Sequence, residues 1–367
     1  MSGIAKTAHV LADGRELFYF DDADTTLDGH RSIDERKLDP RPATPRMRQD
    51  VFTGEWVSIA DARQDRVVLP PPDRDPLAPQ SPGNASEIPD NYDVAVFENR
   101  SPAFGPALGD QSAPDALAEV TGLGLGRERA AIGRCEVVCF APGTSGSLAE
   151  LSESRVRTVI EALADRTAAL SELPGVQQVF PFENRGEQIG VTLQHPHGQI
   201  YAYPFVTPRT TRLIQSVEQY GPDLFEDLLV SELASDRVVL AGRHWSAFVP
   251  FAARWPLEVH LLPHRHVPDL AETSDEERDE LAGMYRRILR GLDALYDTPT
   301  PYIAAWHQAP VISRRGEIRL MLQLVSPRRA ADKLKYLAAS EATMGAWIAD
   351  VPPEAAAQQL REGIERS

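Results

Sequence analysis

The chain repeats one order of predicted elements, and this repeat restricts the possible folds more than any other feature. The first copy reads as strand "RCEVVCF", helix "SLAELSESRVRTVIEALADRTAALSEL" and strands "VQQVFPFENR" and "VTLQHPHGQIYAY". The second reads as strand "WPLEVHLLP", helix "DLAETSDEERDELAGMYRRILRGLDALY" and strands "PYIAAWHQAP" and "EIRLMLQLVSP". The period of roughly 120 residues is too long for a solenoid and indicates a duplicated strand–helix–strand–strand unit. Consecutive strands with segregated helices favour an α+β fold of two halves, mainly antiparallel, with flanking helices.

The last strand of this unit differs between the two copies. In an extended segment residues two apart share a face, so His195, His197 and Gln199 are expected to point the same way. In the second copy Met321 stands in the place of His195, and Gln323 in the place of His197. Because only the first copy keeps the imidazoles, we expect the chemistry there.

The residues around His197 suit a histidine that acts as a nucleophile. A neutral imidazole attacks phosphorus and leaves it again, which allows a covalent phosphoryl-type intermediate. Its other nitrogen must be held by a hydrogen bond, which a backbone carbonyl of the same strand could accept, with Pro196 stiffening the segment. Gly198 would let a phosphate approach, and Gln199 could donate to a phosphate oxygen. Two other interpretations are a pair of core histidines and a metal ligand at His195.

Composition excludes some classes of function. The formal net charge is −16, which disfavours binding to nucleic acids or anionic lipid. We expect neither a leader peptide nor a membrane span, because no charged-then-apolar start and no long apolar run are evident. Cys135 and Cys139 fall on one face of one predicted strand, where a disulfide is sterically poor, so we expect reduced core thiols in a cytoplasmic protein.

Four motifs together resemble the galactose-1-phosphate uridylyltransferases of the histidine-triad superfamily. They are "TGEWVSIADARQDR", "VAVFENR", "FENRG" and "HPHGQIYAYPF", and the resemblance extends from about residue 46 to 365. It implies two fused histidine-triad-like halves, which agrees with the repeat. It also implies ping-pong chemistry of the UDP-glucose and galactose 1-phosphate type. A histidine takes UMP from a UDP-sugar, releases a hexose 1-phosphate, and passes UMP to a second sugar 1-phosphate.

The resemblance also implies roles for individual residues. His197 is the nucleophile and Gln199 the phosphate contact, with His195 beside them in the catalytic segment. The implied substrate-binding residues are Arg63 and Arg66 near the nucleotide, Phe97 and Asn99 at uracil and ribose, Asn184 near the sugar and phosphate, Lys335 at the sugar phosphate, and Glu341 at the hexose hydroxyls. In the family the last two come from the neighbouring subunit, so a homodimer with shared active sites is implied. Read alone, the two arginines and the lysine could equally be solvated surface charges.

The metal ligands of the family are largely missing. In the loop "DPLAP", Asp75 and Ala78 stand where many members have the two thiols of a zinc site, and Thr144 stands near the place of a histidine. Only His195 remains of that set, and one ligand cannot hold a structural zinc.

A second family site, built from one glutamate and three histidines, is reduced to His307. Met321 and Gln323 replace two histidines, and "VTPRTTRLIQ" has no glutamate at the expected place. The histidines of "HLLPHRHVPDL", His260, His264 and His266, are interpreted as a strand end and loop. We therefore expect no metal and no other cofactor.

The sequence predicts three segments and leaves several functions open. The segments are an N-terminal arm (1–45), a first half with the active-site strand (46–220) and a second half with the tail (221–367). The favoured function is UMP transfer between a UDP-sugar and a sugar 1-phosphate. The alternatives are a nucleotidyltransferase for a specialised sugar phosphate or another base, a nucleotide phosphorylase or hydrolase, and a catalytically silent nucleotide-binding protein. Lys335 and Glu341 favour transfer.

Overall fold

The structure, a computed structural model, describes residues 3–64, 69–108 and 124–367, together with the backbone of 118–119. The six α-helices of this described part lie mainly in the second half of the chain. They are α1 (Glu153–Ser171), α2 (Pro208–Tyr220), α3 (Leu224–Leu233), α4 (Asp275–Ala294), α5 (Ala339–Met344) and α6 (Pro353–Arg366).

Strands are spread along the whole described chain. They are β1 (Ala5–Val10), β2 (Glu16–Asp21), β3 (Arg46–Gln49), β4 (Trp56–Ile59), β5 (Val94–Glu98), β6 (Ala118–Glu119), β7 (Arg127–Ala130), β8 (Arg134–Cys139), β9 (Gln178–Arg185), β10 (His197–Tyr203), β11 (Val238–Ala241), β12 (Trp245–Phe248), β13 (Leu257–Pro263), β14 (Tyr302–His307), β15 (Met321–Ser326), β16 (Arg328–Ala330) and β17 (Lys333–Leu334).

Eleven strands form one antiparallel sheet that runs through both halves. Their order is β1-β2-β5-β8-β10-β9-β14-β15-β13-β12-β11. The order β8-β10-β9 of the first unit is mirrored by β14-β15-β13 of the second, and the two units join where β9 pairs with β14. The predicted α+β class, with a mainly antiparallel sheet and flanking helices, is confirmed. Two smaller sheets, β4-β3-β7-β6 and β16-β17, complete the described topology.

The main core lies between this sheet and the helices α1 and α4, which pack against each other on one of its faces. Helix α1 begins after Ser152, whose side chain accepts from the N–H of Arg155. Helix α4 begins with a full capping box between Ser274 and Glu277. Both helices bury apolar residues at helical spacing, and each fully buried Leu or Ile contributes about 1.5–3 kcal/mol. Both helices and the three strands of each unit follow the predicted repeat.

The opposite face of the sheet is less covered, and it carries the site. Along β10, residues alternate between half-buried on this open face and buried on the helix face. His197, Gln199 and Tyr201 belong to the open face, whereas Ile200 is fully buried among the helices. The period of two therefore turns the polar side chains of "HGQIY" away from the core.

Two sequence-based expectations about strands need correction or extension. The strand predicted from "VTLQHPHGQIYAY" begins only at His197, so His195 lies in the segment before it. Within the predicted N-terminal arm, both β1 and β2 join the edge of the large sheet, although only the second was expected as a strand. No helix of the described residues is long and apolar enough to span a membrane.

Candidate active site

His197 is the first residue of β10 and is held in one tautomer by the backbone. Its Nδ1 lies 2.7 Å from the carbonyl oxygen of His195, so Nδ1–H donates and Nε2 keeps its lone pair. Burial lowers the pKa of the His197 imidazole below its ordinary value, and this favours the neutral ring. The side chain is therefore a neutral imidazole with a free Nε2, which is the form required of a nitrogen nucleophile.

Two cavities meet at His197. The first, here called the Phe97 cavity, has a volume of about 470 Å³, and its lining includes Phe97, Asn99, His197 and Gln199. The second, here called the Asn184 cavity, has a volume of about 490 Å³ and is lined by Asn184 and again by His197. A group bound between them would have the imidazole as a common wall. With His195, which also lines the Asn184 cavity, the structure thus brings together six of the ten predicted site residues.

Strand pairing explains how the Phe97 cavity is built. Phe97 of β5 and Gln199 of β10 both pair with Val137 of the intervening strand β8, so the three side chains lie side by side. Asn99 follows β5, its N–H donates to the carbonyl of Cys135, and its Oδ1 accepts from the N–H of Ser101. This leaves the amide group of Asn99 to donate towards the cavity.

His195 has a different environment from its neighbour. It is 2% exposed. Its Nδ1 lies 2.7 Å from Oδ2 of Asp75, and its Nε2 lies 2.8 Å from the carbonyl oxygen of Ala141. The hydroxyl of Tyr92 is 2.9 Å from the same Nε2. His195 and His197 therefore do not act as a pair on one strand face, because His195 points into the protein and offers the site its carbonyl oxygen.

Comparison with known proteins agrees with this geometry. Residues 34–207 match the family model "Galactose-1-phosphate uridyl transferase, N-terminal domain", and residues 211–362 match its C-terminal counterpart. The galactose-1-phosphate uridylyltransferase of Streptomyces lividans is 43% identical, with 97% of each chain covered. That of Thermotoga maritima is 35% identical, covering 86% of this chain and 98% of that protein.

The chain belongs to the galactose-1-phosphate uridylyltransferase family. Its fold agrees as well: a solved structure titled "Structure of uridylyltransferase" superposes with a TM-score of 0.76 at 29% identity, covering 88% of this chain and 99% of that one. The resemblance read from the sequence is thereby confirmed.

The zinc site that many members of this family carry does not fit the residues around His195. Nδ1 of His195 is paired with Asp75, and its Nε2 lies within hydrogen-bond distance of the Ala141 carbonyl and the Tyr92 hydroxyl, so both ring nitrogens already have protein partners. Cys135 and Cys139 are buried in β8 and are not joined in a disulfide. Across residues 3–64, 69–108 and 124–367, no three His, Cys, Asp or Glu side chains converge to hold a metal ion.

His307, the residue that the resemblance assigned to a second family metal site, belongs to a chain of hydrogen bonds, here called the Glu258 chain. Nε2 of His307 lies 3.0 Å from Oε1 of Gln323, whose Nε2 lies 2.6 Å from Oε1 of Glu258. His260 lies 3.1 Å from the same carboxylate oxygen. His264 instead contacts Ser246 and the Arg243 carbonyl, so the histidines of "HLLPHRH" do not converge, as predicted.

Of the remaining predicted substrate-binding residues, those that the structure describes line neither of the two cavities. Arg63 donates from Nη1 to the hydroxyl of Tyr201, at 3.2 Å, on the open face two residues beyond Gln199. Arg66 lies outside the described residues. Nζ of Lys335 is buried, donates to the carbonyls of Arg254 and Ile348, and lies 3.5 Å from Oε1 of Glu341.

Glycine is needed at position 198 for a structural reason that differs from the one expected. A Cβ added to it would lie 2.9 Å from the carbonyl oxygen of Phe182 and 2.9 Å from the ring of Phe140. It faces the helices, so glycine is required by the core rather than by an approaching phosphate.

Sequence reasoning missed Tyr92 and Val137 as parts of the site, and treated Asp75 only as a lost ligand. Val137 is in a predicted strand, but its place beside Gln199 depends on strand order. Asp75 and Tyr92 are separated from His195 by 120 and 103 residues. No local pattern pairs residues so far apart.

Proposed function

We propose that this chain transfers UMP from a UDP-sugar to a sugar 1-phosphate through a covalent uridylyl-His197 intermediate, with UDP-glucose and galactose 1-phosphate as the expected pair. Membership of the galactose-1-phosphate uridylyltransferase family supports the reaction. The observation that carries the intermediate is the bond from His197 Nδ1 to the His195 carbonyl, 2.7 Å long, in the wall shared by two cavities. It leaves Nε2 as the only ring atom able to attack.

The reaction balances without a cofactor. The lone pair of His197 Nε2 forms a bond to the α-phosphorus of the UDP-sugar, and the bond to the bridging oxygen breaks. That electron pair leaves with the hexose 1-phosphate. In the second half-reaction an oxygen of the incoming sugar 1-phosphate attacks the same phosphorus, and the electron pair of the N–P bond returns to Nε2. The proton stays on Nδ1 throughout, hydrogen-bonded to the carbonyl oxygen of His195.

The residues around His197 divide the substrate between the two cavities. We assign the nucleoside to the Phe97 cavity, where an aromatic ring and the amide of Asn99 suit a base and a ribose. The hexose phosphate is assigned to the Asn184 cavity. Gln199 lies beside the nucleophile and can donate to an oxygen of the transferred group, where negative charge builds up in the transition state. Arg63 is proposed to add positive charge from the open face, and Arg66 stays a predicted nucleotide contact outside the described residues.

We propose that the enzyme works without the metals of its family. The saturated hydrogen bonding of His195 supports this for the first site, and the Glu258 chain supports it for the second, because their ligand atoms already have protein partners. At both places the side chains are held by direct hydrogen bonds to other protein atoms.

A homodimer with shared active sites is the third part of the proposal. Among the described residues that line the two cavities, neither Lys335 nor Glu341 occurs, so a second copy is required to bring them to the substrate. The segment that carries them exposes large apolar side chains, with Tyr336 74% and Met344 81% exposed. The open face beside β10 offers stacked, half-buried rings such as Phe180 and Phe182 as a surface for it.

A cytoplasmic location is proposed with these assignments. Cys135 and Cys139 are buried thiols that are not joined in a disulfide, which is the state expected in a reducing compartment.

The test is to incubate the purified protein with UDP-glucose labelled at the α-phosphorus and to follow the label. We expect one label per active site, labile in acid and stable in base, that is discharged by galactose 1-phosphate. Discharge by inorganic phosphate or water in preference to any sugar 1-phosphate would instead identify a phosphorylase or hydrolase. A panel of sugar 1-phosphates then identifies a specialised acceptor. If no nucleotide sugar labels the protein, the covalent mechanism is wrong.

A further inference from the structure

Three side chains that no step of the proposed reaction uses form a buried cluster behind the nucleophile. Asp75, Tyr92 and His195 are 5%, 1% and 2% exposed. Asp75 belongs to the loop after β4, Tyr92 precedes β5, and His195 precedes β10. Burying the Asp75 carboxylate and the His195 imidazole this deeply lowers the stability of the fold unless the two groups are hydrogen-bonded to each other. Their arrangement therefore needs an explanation.

Each polar atom of this cluster has an assigned partner. Oδ2 of Asp75 accepts from His195 Nδ1 at 2.7 Å, and Oδ1 accepts from the N–H of Leu77 at 2.9 Å. The Tyr92 hydroxyl lies 2.9 Å from His195 Nε2 and within hydrogen-bond distance of the carbonyls of Leu77 and Ala141, at 2.8 and 2.9 Å. Burial raises the pKa of Tyr92 well above its ordinary value, so its proton is retained for this bond. The imidazole of His195 is thus fixed from both sides.

The fixed imidazole belongs to the residue whose carbonyl orients the nucleophile. Nδ1 of His197 donates to the oxygen of His195, and the next carbonyl, that of Pro196, accepts from the N–H of Phe140 at 3.0 Å. With the side chain of His195 clamped and the following peptide bonded to the neighbouring strand end, the His195 carbonyl has no freedom to rotate. Its direction decides which nitrogen of His197 carries the proton.

We infer that Asp75 and Tyr92 are positioning residues for the nucleophile, because their hydrogen bonds to His195 fix the residue whose carbonyl orients His197. The inference rests on the proposed uridylyl-His197 intermediate. The bond from Asp75 joins its loop directly to His195. It keeps Nδ1 of His197 protonated and bonded, and so keeps Nε2 free to attack. Neither residue contacts the reacting atoms.

The loop of Asp75 also contributes Pro76 and Leu77 to the Phe97 cavity, so a merely structural role would change nucleotide binding instead of the chemical step. The experiment must therefore separate affinity from rate. We would compare Asp75→Ala, Asp75→Asn and Tyr92→Phe with wild type. Asp73→Asn is the matched control, since Asp73 is an exposed carboxylate two residues away in the same loop.

Single-turnover kinetics with labelled UDP-glucose gives the rate of His197 uridylylation and the nucleotide-sugar affinity separately. For Asp75→Ala we expect the rate to fall about 10–100-fold, as for other partners that orient a catalytic or metal-bound histidine, with affinity changed less than about threefold. Asp75→Asn keeps an acceptor and should recover most of the loss. Tyr92→Phe should lose roughly 3–10-fold, and Asp73→Asn nothing.

A second readout tests the mechanism of the loss. Nitrogen-15 NMR of the labelled imidazoles should report His197 with its proton on Nδ1 in wild type and in Asp73→Asn, and a mixture of tautomers in Asp75→Ala. Should Asp75→Ala fail to fold by circular dichroism, Tyr92→Phe, which removes only one oxygen, provides the same comparison. Wild-type uridylylation rates in folded Asp75→Ala or Tyr92→Phe, or a loss confined to affinity, would overturn the inference. Failure of wild type itself to become labelled would overturn the proposed function instead.

Discussion

The two strand–helix–strand–strand units share one sheet, but the polar side chains on their last strands have opposite environments. In the first unit His197 has a free Nε2 beside two cavities. In the second unit Gln323, which the sequence comparison sets opposite His197, uses both ends of its amide within the Glu258 chain. The same backbone therefore presents an open reactive group in one unit and a closed network in the other.

Charge and burial account for how this second network is held. Burial favours the neutral form of Glu258, but bonds from His260, from the N–H of Arg254 and from Gln323 outweigh it and hold the pKa of this carboxyl at about 2. Burial, with the nearby positive charge of Arg209, lowers the pKa of His307 to about 3. Helix α2 and the apolar cluster around Val217 and Phe225 cover the sheet beside this network. The comparison indicates that a reactive group such as His197 needs a strand whose side-chain face is left uncovered, as it is at β10.

The largest difference in transfer activity should appear between a substitution of His197 in the first unit and a substitution of Gln323 in the second. We expect His197→Gly to reduce transfer by at least about 10³-fold with the fold intact, because the nucleophile is lost. Added imidazole should restore some turnover by taking its place. Gln323→Ala should leave uridylylation near wild type and lower the free energy of unfolding by about 1–3 kcal/mol, because Glu258 and His307 lose a buried partner. Steady-state assays and urea unfolding measure both, and wild-type turnover of His197→Gly would contradict the covalent mechanism.

The next effect concerns the amide two residues beyond the nucleophile. Gln199→Arg keeps donors but adds bulk and charge near Arg63, so both uridylylation and its reversal should slow roughly 10²–10³-fold. Ground-state nucleotide affinity should change less. Rapid-quench kinetics of each half-reaction distinguishes these terms. A large loss of affinity with unchanged transfer rates would show that Gln199 binds substrate rather than stabilising the transition state.

A smaller effect is expected where the units join. Burial raises the pKa of Glu183 in β9 to about 7, although the hydroxyls of Tyr302 and Tyr285, both from the second unit, donate to it. Between its unfolded pKa, near 4.5, and about 7, the folded chain holds more protons than the unfolded chain. The free energy of unfolding therefore falls as pH rises through this window.

Glu183→Gln cannot ionise and should remove this dependence. Relative to wild type, the variant should gain on the order of 1–3 kcal/mol between pH 5 and pH 8. Urea unfolding at both pH values measures the gain, and Glu172→Gln, at an exposed position after α1, serves as the control. Parallel pH curves for Glu183→Gln and wild type would mean that the carboxyl titrates near its ordinary value.

The smallest expected effect is that of metal removal. Protein purified without a metal-binding tag should contain well under one zinc or iron per chain, and chelators should leave activity and melting temperature unchanged. The reason is that His195 and His307 donate to protein acceptors. Elemental analysis before and after dialysis against chelator measures this. Stoichiometric zinc whose loss unfolds the chain would contradict the direct Asp75–His195 bond.

The sequence predicted what depends on local periodicity, and missed what depends on distant contacts. Helix α1 of the first unit was predicted from the helical spacing of Val156, Ile160 and Leu163. Helix α4 of the second unit was predicted from the capping residues at Ser274. Alternation along "HGQIY" predicted the faces of His197 and Gln199. The extended pattern failed at His195, because its bonds to Asp75 and Tyr92 turn it into the core.

Helix α2 escaped prediction for a related reason. It buries only Thr210 and Val217, so its sequence carries little apolar periodicity and depends on the surface beneath it. The domain boundaries at residues 45 and 220 and the roles of Lys335 and Glu341 stay predictions. Their proposed roles depend on a second chain.

The continuous pairing of β9 with β14 also bears on how such a molecule could arise. A single ancestral unit would have ended at this strand with a bare row of N–H and carbonyl groups, which sheet proteins avoid exposing. Two copies meeting edge to edge would have satisfied those groups with the ladder now seen between Asn184 and Ile303. Fusing the copies made that meeting independent of protein concentration. Because one chain carries both units, the second unit can hold Met321 and Gln323 in its last strand while its sheet continues the sheet that supports the catalytic strand.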